Sequence, residues 1–230
     1  MSRISVIIPA FNEAKSIAKV IGAIPQKLVS EVIVVNNNST DDTAEVARKA
    51  GATVLLQTAQ GYGNACLKGL EYLAEKPTAE KPEVVVFLDG DFSDHPDKMP
   101  ELVLPIINNQ ADMVIGSRAL GERKKGSMTT PQVFGNWLAT RLLKLFYKVK
   151  FTDLGPFRAI RYSSLLNLNM QDKTYGWTVE MQLKAAKQNL RCLEVAVPYR
   201  QRIGVSKISG TVKGAVLAGY KILYTIFKYR

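Results

Sequence analysis

The chain has 230 residues, 47% of them hydrophobic, which excludes a disordered polypeptide and predicts one domain with a substantial core. Its formal charge of +11 is unevenly spread: residues 1–120 hold 11 basic and 15 acidic side chains, residues 121–230 hold 20 and 5. That second half favours a polyanionic partner such as nucleic acid, anionic lipid headgroups or a phosphorylated substrate, and charge alone does not choose among them. Cys66 and Cys192 lack CxxC or zinc spacing and read as reduced packing residues of a cytosolic protein. The opening "MSRISVIIPAF" is too short an apolar run for a signal peptide, and no stretch of about 18 uninterrupted apolar residues is present to span a bilayer.

Strands and helices alternate through the first half. "ISVIIP" (4–9), "EVIVVN" (31–36), "TVLLQ" (53–57), "VVVFLD" (84–89) and "DMVIGS" (112–117) are continuously apolar, as strands of a parallel sheet covered on both faces must be. Helical patterns fill 13–24, 41–50, 62–75 and 97–110; "NSTDDTAEVARKAG" carries cap residues, early acids and a closing glycine. Beyond residue 120 the spacing predicts amphipathic helices over 130–150 and 210–230, a helix over 176–190 and a strand in "RCLEVAVPYR" (191–200). No repeat, low-complexity segment or linker divides the chain. The expected fold is α/β: a Rossmann-like, mostly parallel sheet flanked by helices, with C-terminal amphipathic helices and ligands at the carboxyl ends of the strands.

The stretch "VVVFLDGDFSDHP" (84–96) runs a buried strand into Asp89, Asp91 and Asp94. Asp89 and Asp91 can share a hard divalent cation, Mg²⁺ or Mn²⁺, that bridges to substrate phosphates rather than filling an all-protein cage. Asp94 reads as a cap for the helix opening at Pro96, and His95, with no second histidine, as a loop residue. Polar segments close the other strands in register: "PAFNE" (9–13), "NNNSTDDT" (36–43), the Gly-rich "QGYGNA" (60–65) and "GSR" (116–118). Their convergence on one sheet edge outweighs any single motif, since Gly61 and Gly63 alone do not complete GxGxxG.

With "IPAFNE", "NNNSTDDT", "GYGNA", "LDGDFSDHP", "GSR", "DLGPFRAI" and "RIGVSK", the sequence resembles the family 2 glycosyltransferases of the GT-A fold over almost its whole length. The likeness extends to the dolichyl-phosphate mannose synthases and bacterial polyprenyl-phosphate glycosyltransferases. It implies one GT-A domain, with residues 1–120 holding a nucleotide-diphosphate sugar and 121–230 the acceptor. It implies donor-binding roles for Pro9, Phe11, Glu13, Asn37, Gly63 and Asp89, and metal binding by Asp89 and Asp91. Where such enzymes often read "DDxSxDxT", this chain has Asn36, Asn37 and Asn38. An asparagine offers one acceptor and one donor, a match to uracil rather than guanine, so a UDP-sugar is expected.

The acceptor follows from charge. A sugar hydroxyl needs a general base, whereas a phosphate monoester is already anionic and needs positioning and neutralisation, which Arg forks supply. The resemblance places a polyprenyl or dolichyl phosphate near Arg118, Arg202, Ser206 and Lys207. It places Asp153 near the reacting centre as base or orienting group, with Asp91 beside it, and implies inversion at the anomeric carbon. On α-helical wheels Phe134, Leu138, Leu142, Leu145 and Phe146 share a side beside Arg141, Lys144 and Lys148; Val212, Val216, Tyr220, Leu223 and Phe227 form a stripe flanked by Lys213, Lys221 and Lys228. That pattern fits core-facing helices, and with the net charge and the resemblance it predicts helices lying in an anionic membrane interface. Peripheral, reversible attachment to the cytoplasmic face is expected, with homodimerisation an available aid. A glycosyltransferase acting on a hydroxyl, with Asp153 as base, stays open. A nucleotidyltransferase lacks its "GxGTR" opening, and a nucleic-acid-binding module lacks aromatic platforms or a reading helix, so no nucleic-acid partner is expected.

Overall fold

The structure, a computed structural model, describes residues 3–204 and 212–229. In chain order the elements are β1 (Ile4–Ala10), α1 (Ile17–Ala23), β2 (Glu31–Asn36), α2 (Thr43–Lys49), β3 (Thr53–Leu56), α3 (Tyr62–Glu75), β4 (Val84–Phe87), α4 (Met99–Ile107) and β5 (Met113–Ser117). The second half adds α5 (Thr130–Tyr147), β6 (Arg158–Arg161), α6 (Tyr162–Leu168), α7 (Trp177–Lys187), β7 (Cys192–Ala196) and α8 (Val212–Lys228).

The described strands form one sheet in the order β3-β2-β1-β4-β6-β5-β7. All pairings are parallel except those of β6, which runs antiparallel to both β4 and β5. Continuous apolarity has the expected consequence: alternate side chains of each central strand enter opposite cores. Ile7, Ile33, Val85 and Phe87 pack with α3, α5, α6 and α7, while Val6, Ile8, Val34 and Val86 pack with α1 and α4. On the first side the Trp177 ring meets Phe87 edge-on at 5.9 Å, fixing α7 against the middle of the sheet.

Three elements depart from the sequence reading. The helix expected from residue 13 begins at Ile17, because Glu13 to Ser16 form a turn with the Ser16 and Ile17 N–H groups on the Glu13 carbonyl. β6 and α6 fall where no element was predicted. "RAIR" holds two apolar residues between arginines, yet Arg158 is fully buried. Its guanidinium donates to the carbonyls of Leu154, Gly155 and Thr178, which satisfies the charge-bearing group inside the core.

α5 and α8 pack side by side, with the Tyr147 hydroxyl donating to the Ile226 carbonyl at 2.7 Å and the Phe146 and Phe227 rings 5.6 Å apart. α5 opens with a capping box between Thr129 and Gln132 and ends at left-handed Lys148. Its core edge is Ala139, Thr140 and Leu143; of the predicted stripe, Leu142 and Phe146 pack against that core while Phe134 and Leu145 face outward with Trp137, so the stripe is split between the two sides. On α8, Thr225 and Ile226 are buried while Val216, Tyr220 and Phe227 are more than half exposed. Most of that apolar stripe therefore points away from the protein. No helix among the described residues is long and apolar enough to cross a membrane.

Candidate active site

The parallel strands all end at one edge, and side chains from four segments meet there. After β1 the chain turns through left-handed Asn12, which brings Glu13 under the start of α2. The Glu13 N–H donates to Thr43 Oγ1 at 2.8 Å, and its carboxylate accepts from Ser16 Oγ at 2.9 Å. Pro9 and Phe11 join Glu13 in the wall of a cavity of about 270 Å³.

Asn37, just past β2, lines the same cavity but spends its amide on the chain. Its nitrogen donates to the carbonyls of Gln57 (3.0 Å) and Ala59 (2.8 Å), and its oxygen accepts from the Gly61 N–H (2.8 Å). Neither amide proton remains for a base, so the donor-plus-acceptor match to uracil expected of an asparagine is not available from Asn37. Its work is to hold the 57–61 segment that forms the cavity wall. Gly63 also departs from expectation. It does not line the cavity; its N–H donates to the Thr174 carbonyl at 3.3 Å, and a Cβ there would collide with the Asp172 and Lys173 backbone. The glycine serves close approach of the 172–174 backbone, while its neighbours Gly61 and Tyr62 face the cavity.

The acidic loop follows β4. Asp91 is buried, its Oδ1 accepting from the Ser93 N–H at 2.8 Å. Asp94 Oδ2 accepts from the Asp89 N–H at 3.4 Å, back across the loop, whereas the helical turn at Pro96–Lys98 has His95, not Asp94, at its N-cap position. Asp89 Oδ1 and Asp94 Oδ1 are buried with no hydrogen-bond partner among the described residues. Burial first, then the neighbouring Asp91 and Asp94 carboxylates, pushes the Asp89 carboxyl well above the ordinary range; burial and Asp91 push Asp94 up to about 7. His95 stays at the loop surface, 3.6 Å from Asp97.

Residues 200–203 run along this loop, with the Arg200 N–H on the Ser93 carbonyl and the Ile203 N–H on the Asp91 carbonyl. Arg200 lies over the Phe92 ring and donates to the carbonyls of Phe92 and Asp94, so it braces the loop. Arg202 reaches Glu13 at 3.1 Å and Asp91 at 3.2 Å. It is a positive partner of both carboxylates, on the donor side as well as the acceptor side expected for it.

Arg118, after β5, is held by Asp153 in a two-pronged pair, Nε to Oδ2 at 2.8 Å and Nη2 to Oδ1 at 2.7 Å, with the Arg118 backbone N–H also on Oδ2. Asp153 is buried, and its N–H is anchored on Glu194. With both oxygens engaged, it is placed to orient Arg118 rather than to accept a proton. Ser206 and Lys207 lie outside the described residues.

A second cavity, of about 290 Å³, adjoins the first. The two share Tyr62, Asp89, Asp91, Tyr175 and Arg202. From that junction the second passes Arg118 and Tyr199 and reaches Gly135 and Asn136 of α5 and Ala218, Gly219 and Ile222 of α8. Tyr175 and the small residues of α8 carried no motif; their only sequence signal was their place in loops and helices of the acceptor half.

The donor set suits a divalent cation. Asp89 lines both cavities and its buried Oδ1 has no hydrogen-bond partner among the described residues, and the repulsion among the aspartates is what a cation would relieve. Among the described residues no three His, Cys, Asp or Glu side chains form a complete cage, so Asp89 and Asp91 would leave positions for water and phosphate oxygens, as hard cations at phosphate sites do.

The family model described as "Glycosyl transferase family 2" matches residues 5–168. An uncharacterized glycosyltransferase of Mycobacterium tuberculosis is 33% identical over 218 residues, covering 94% of each chain. An undecaprenyl-phosphate mannosyltransferase of Micrococcus luteus is 30% identical over 227 residues, 92% of this chain and 90% of that one. Among solved structures, glucosyl-3-phosphoglycerate synthase of Mycobacterium tuberculosis, in complex with Mn²⁺, uridine diphosphate and phosphoglyceric acid, superposes with a TM-score of 0.77 at 22% identity, over 99% of this chain and 78% of that one.

Proposed function

This chain belongs to glycosyl transferase family 2, and on that premise we propose that it moves a sugar from a nucleotide-diphosphate sugar to a polyprenyl or dolichyl phosphate at a membrane surface. The observation that carries the reading is the second cavity: it leads from the acidic loop past Arg118 to the small and apolar residues Gly135, Ala218, Gly219 and Ile222, beside helices whose outward faces are apolar. A phosphate next to Arg118 with a hydrocarbon chain leaving between α5 and α8 fits that route. The Micrococcus luteus relative, by its name, uses undecaprenyl phosphate.

In this mechanism Pro9, Phe11, Glu13 and Asn37 wall the donor, and Asp89 and Asp91 would hold Mg²⁺ or Mn²⁺. Such a cation, when bound, neutralises the diphosphate as a Lewis acid. Arg202 bridges the donor carboxylates and the acceptor cavity, and Arg118, aligned by Asp153, receives the acceptor phosphate. A phosphate oxygen forms the new bond to the anomeric carbon from the face opposite the diphosphate, whose oxygen leaves with the bonding pair, inverting the configuration. No side chain has to take a proton, in keeping with the engagement of Asp153. A UDP-sugar is the favoured donor, now on the likeness to a fold crystallised with uridine diphosphate rather than on Asn37. Chemistry near Arg118 also suits a small phosphorylated acceptor, and that structure contains phosphoglyceric acid; the apolar route favours the lipid.

Nucleoside-diphosphate release with Mn²⁺ and a panel of UDP- and GDP-sugars tests the reading, each donor run alone, with a short polyprenyl phosphate and with 3-phosphoglycerate. Release stimulated by the polyprenyl phosphate is expected. Stimulation by 3-phosphoglycerate alone would replace the lipid, and metal-dependent release indifferent to both would move the acceptor elsewhere.

A further inference from the structure

Five residues wall both cavities: Asp89 and Asp91 belong to the acidic loop, Arg202 lies beside it, and Tyr62 opens α3 within "GYGNA". The fifth, Tyr175, stands on the 171–176 loop between α6 and α7, which the sequence motifs do not include. We propose that Tyr175 is a positioning residue for the transfer, its ring closing the junction where the sugar meets the acceptor, and that its place is set from α8. The proposal rests on the transferase reading above.

The loop is fastened on both sides. Toward the donor, the Asn64 N–H donates to the Lys173 carbonyl at 2.9 Å, and Gly63 accommodates the same backbone. Inside the loop, Asp172 accepts from the Thr174 N–H (2.8 Å) and the Gly176 N–H (3.1 Å), which fixes the turn on either side of Tyr175. Toward α8, the other Asp172 oxygen pairs with Lys221 at 2.9 Å. Buried Glu180 accepts from the Asp172 N–H and the Tyr229 hydroxyl, both at 2.7 Å. A Cβ on Gly176 would press on the Asp172 carboxylate and on the Thr225 hydroxyl of α8, so the loop backbone lies directly against a side chain of that helix. A side chain held this way at the meeting point of two cavities is preorganised to place the sugar and keep water from the anomeric carbon.

The test follows transfer and hydrolysis together, counting glycosylated acceptor and free sugar per nucleoside diphosphate released, with the donor, Mn²⁺ and acceptor that the release assay selects. Tyr175→Ala should lower kcat/KM for transfer by roughly 10–100-fold while the share of donor lost to water rises. Tyr175→Phe should restore both, because the ring is the wall. Lys221→Gln, which leaves every cavity-lining side chain in place, should shift both in the same direction by a smaller factor and guards against Tyr175→Ala failing to fold. Unchanged kcat/KM and hydrolytic share in Tyr175→Ala would overturn the inference while leaving the transferase reading intact. Transfer and hydrolysis falling equally, with no rescue by phenylalanine, would reduce Tyr175 to a structural role. No release by the unaltered protein with any donor would remove the transferase reading, and this inference with it.

Discussion

Asp89, Asp91 and Asp94 are gathered at a cost to the folded chain, since burial and mutual repulsion hold two of them above the ordinary carboxylate range. Neutralising one should relieve that cost. Asp89→Asn is therefore expected to keep or raise the thermal midpoint while turnover falls at least ~100-fold, a pairing read by a melting curve beside the release assay. Arg202 gives a second prediction. It pairs with Asp91 and Glu13, so a cation must compete with it for the Asp91 carboxylate. Arg202→Gln should tighten Mn²⁺ binding by the nucleotide-free protein, measured as loss of the free-Mn²⁺ paramagnetic resonance signal; weaker binding would mean that Arg202 does not compete. The edge location of Pro9, Phe11, Glu13, Asn37, Asp89 and Asp91 was legible in the sequence because a parallel sheet brings strand ends together. The duties of Asn37 and Gly63 were not: both depend on backbone partners, and for Gly63 those partners lie more than a hundred residues away in the chain.

At the scale of elements, the strands of the first half were legible from continuous apolarity, whereas β6 was hidden because its flanking arginines mimic a surface segment until Arg158 finds three carbonyls. The sheet's far edge depends on an ion pair just before β5. Asp112 accepts from the Arg191 guanidinium at 2.8 and 3.0 Å and from the Arg191 N–H at 3.0 Å, tying the start of β7 to β5. The Arg191 hydrogen bonds hold the Asp112 carboxyl below its ordinary value of 3.8. The pair thus stabilises the fold fully above that value and is lost as pH falls through the lower folded one. Asp112→Asn should cost about 1 kcal/mol at pH 7, Arg191 being half exposed, and the difference from the parent should vanish in strong acid, as paired melts across pH would show. The helical periods of α5 and α8 were readable, but which side faces the core was not, because both sides carry apolar residues. Val216→Ser with Tyr220→Ser should weaken binding to anionic vesicles while moving the melting temperature little, since both side chains are more than half exposed.

Over the whole molecule, the division of charge places the basic half with the outward apolar helices and the acidic half with the Asp89–Asp94 loop. Attachment built on both terms should fall with salt: co-sedimentation with phosphatidylglycerol vesicles is expected to drop steeply between low ionic strength and about 0.15 M, and to be weaker on neutral phosphatidylcholine at any salt. Equal binding to both vesicle types would assign the attachment to apolar contact alone. Neither half stands by itself, and the antiparallel strand β6 is the reason. β4 and β5 do not pair with each other; each pairs with β6, which leaves the ribosome only after both. Until then a nascent chain exposes two unsatisfied strand edges, a state prone to pairing with its neighbours. A fragment ending near residue 120, made to obtain the donor site without the basic half, should accumulate as insoluble aggregate, and completion of the sheet should be a slow, late event in synthesis.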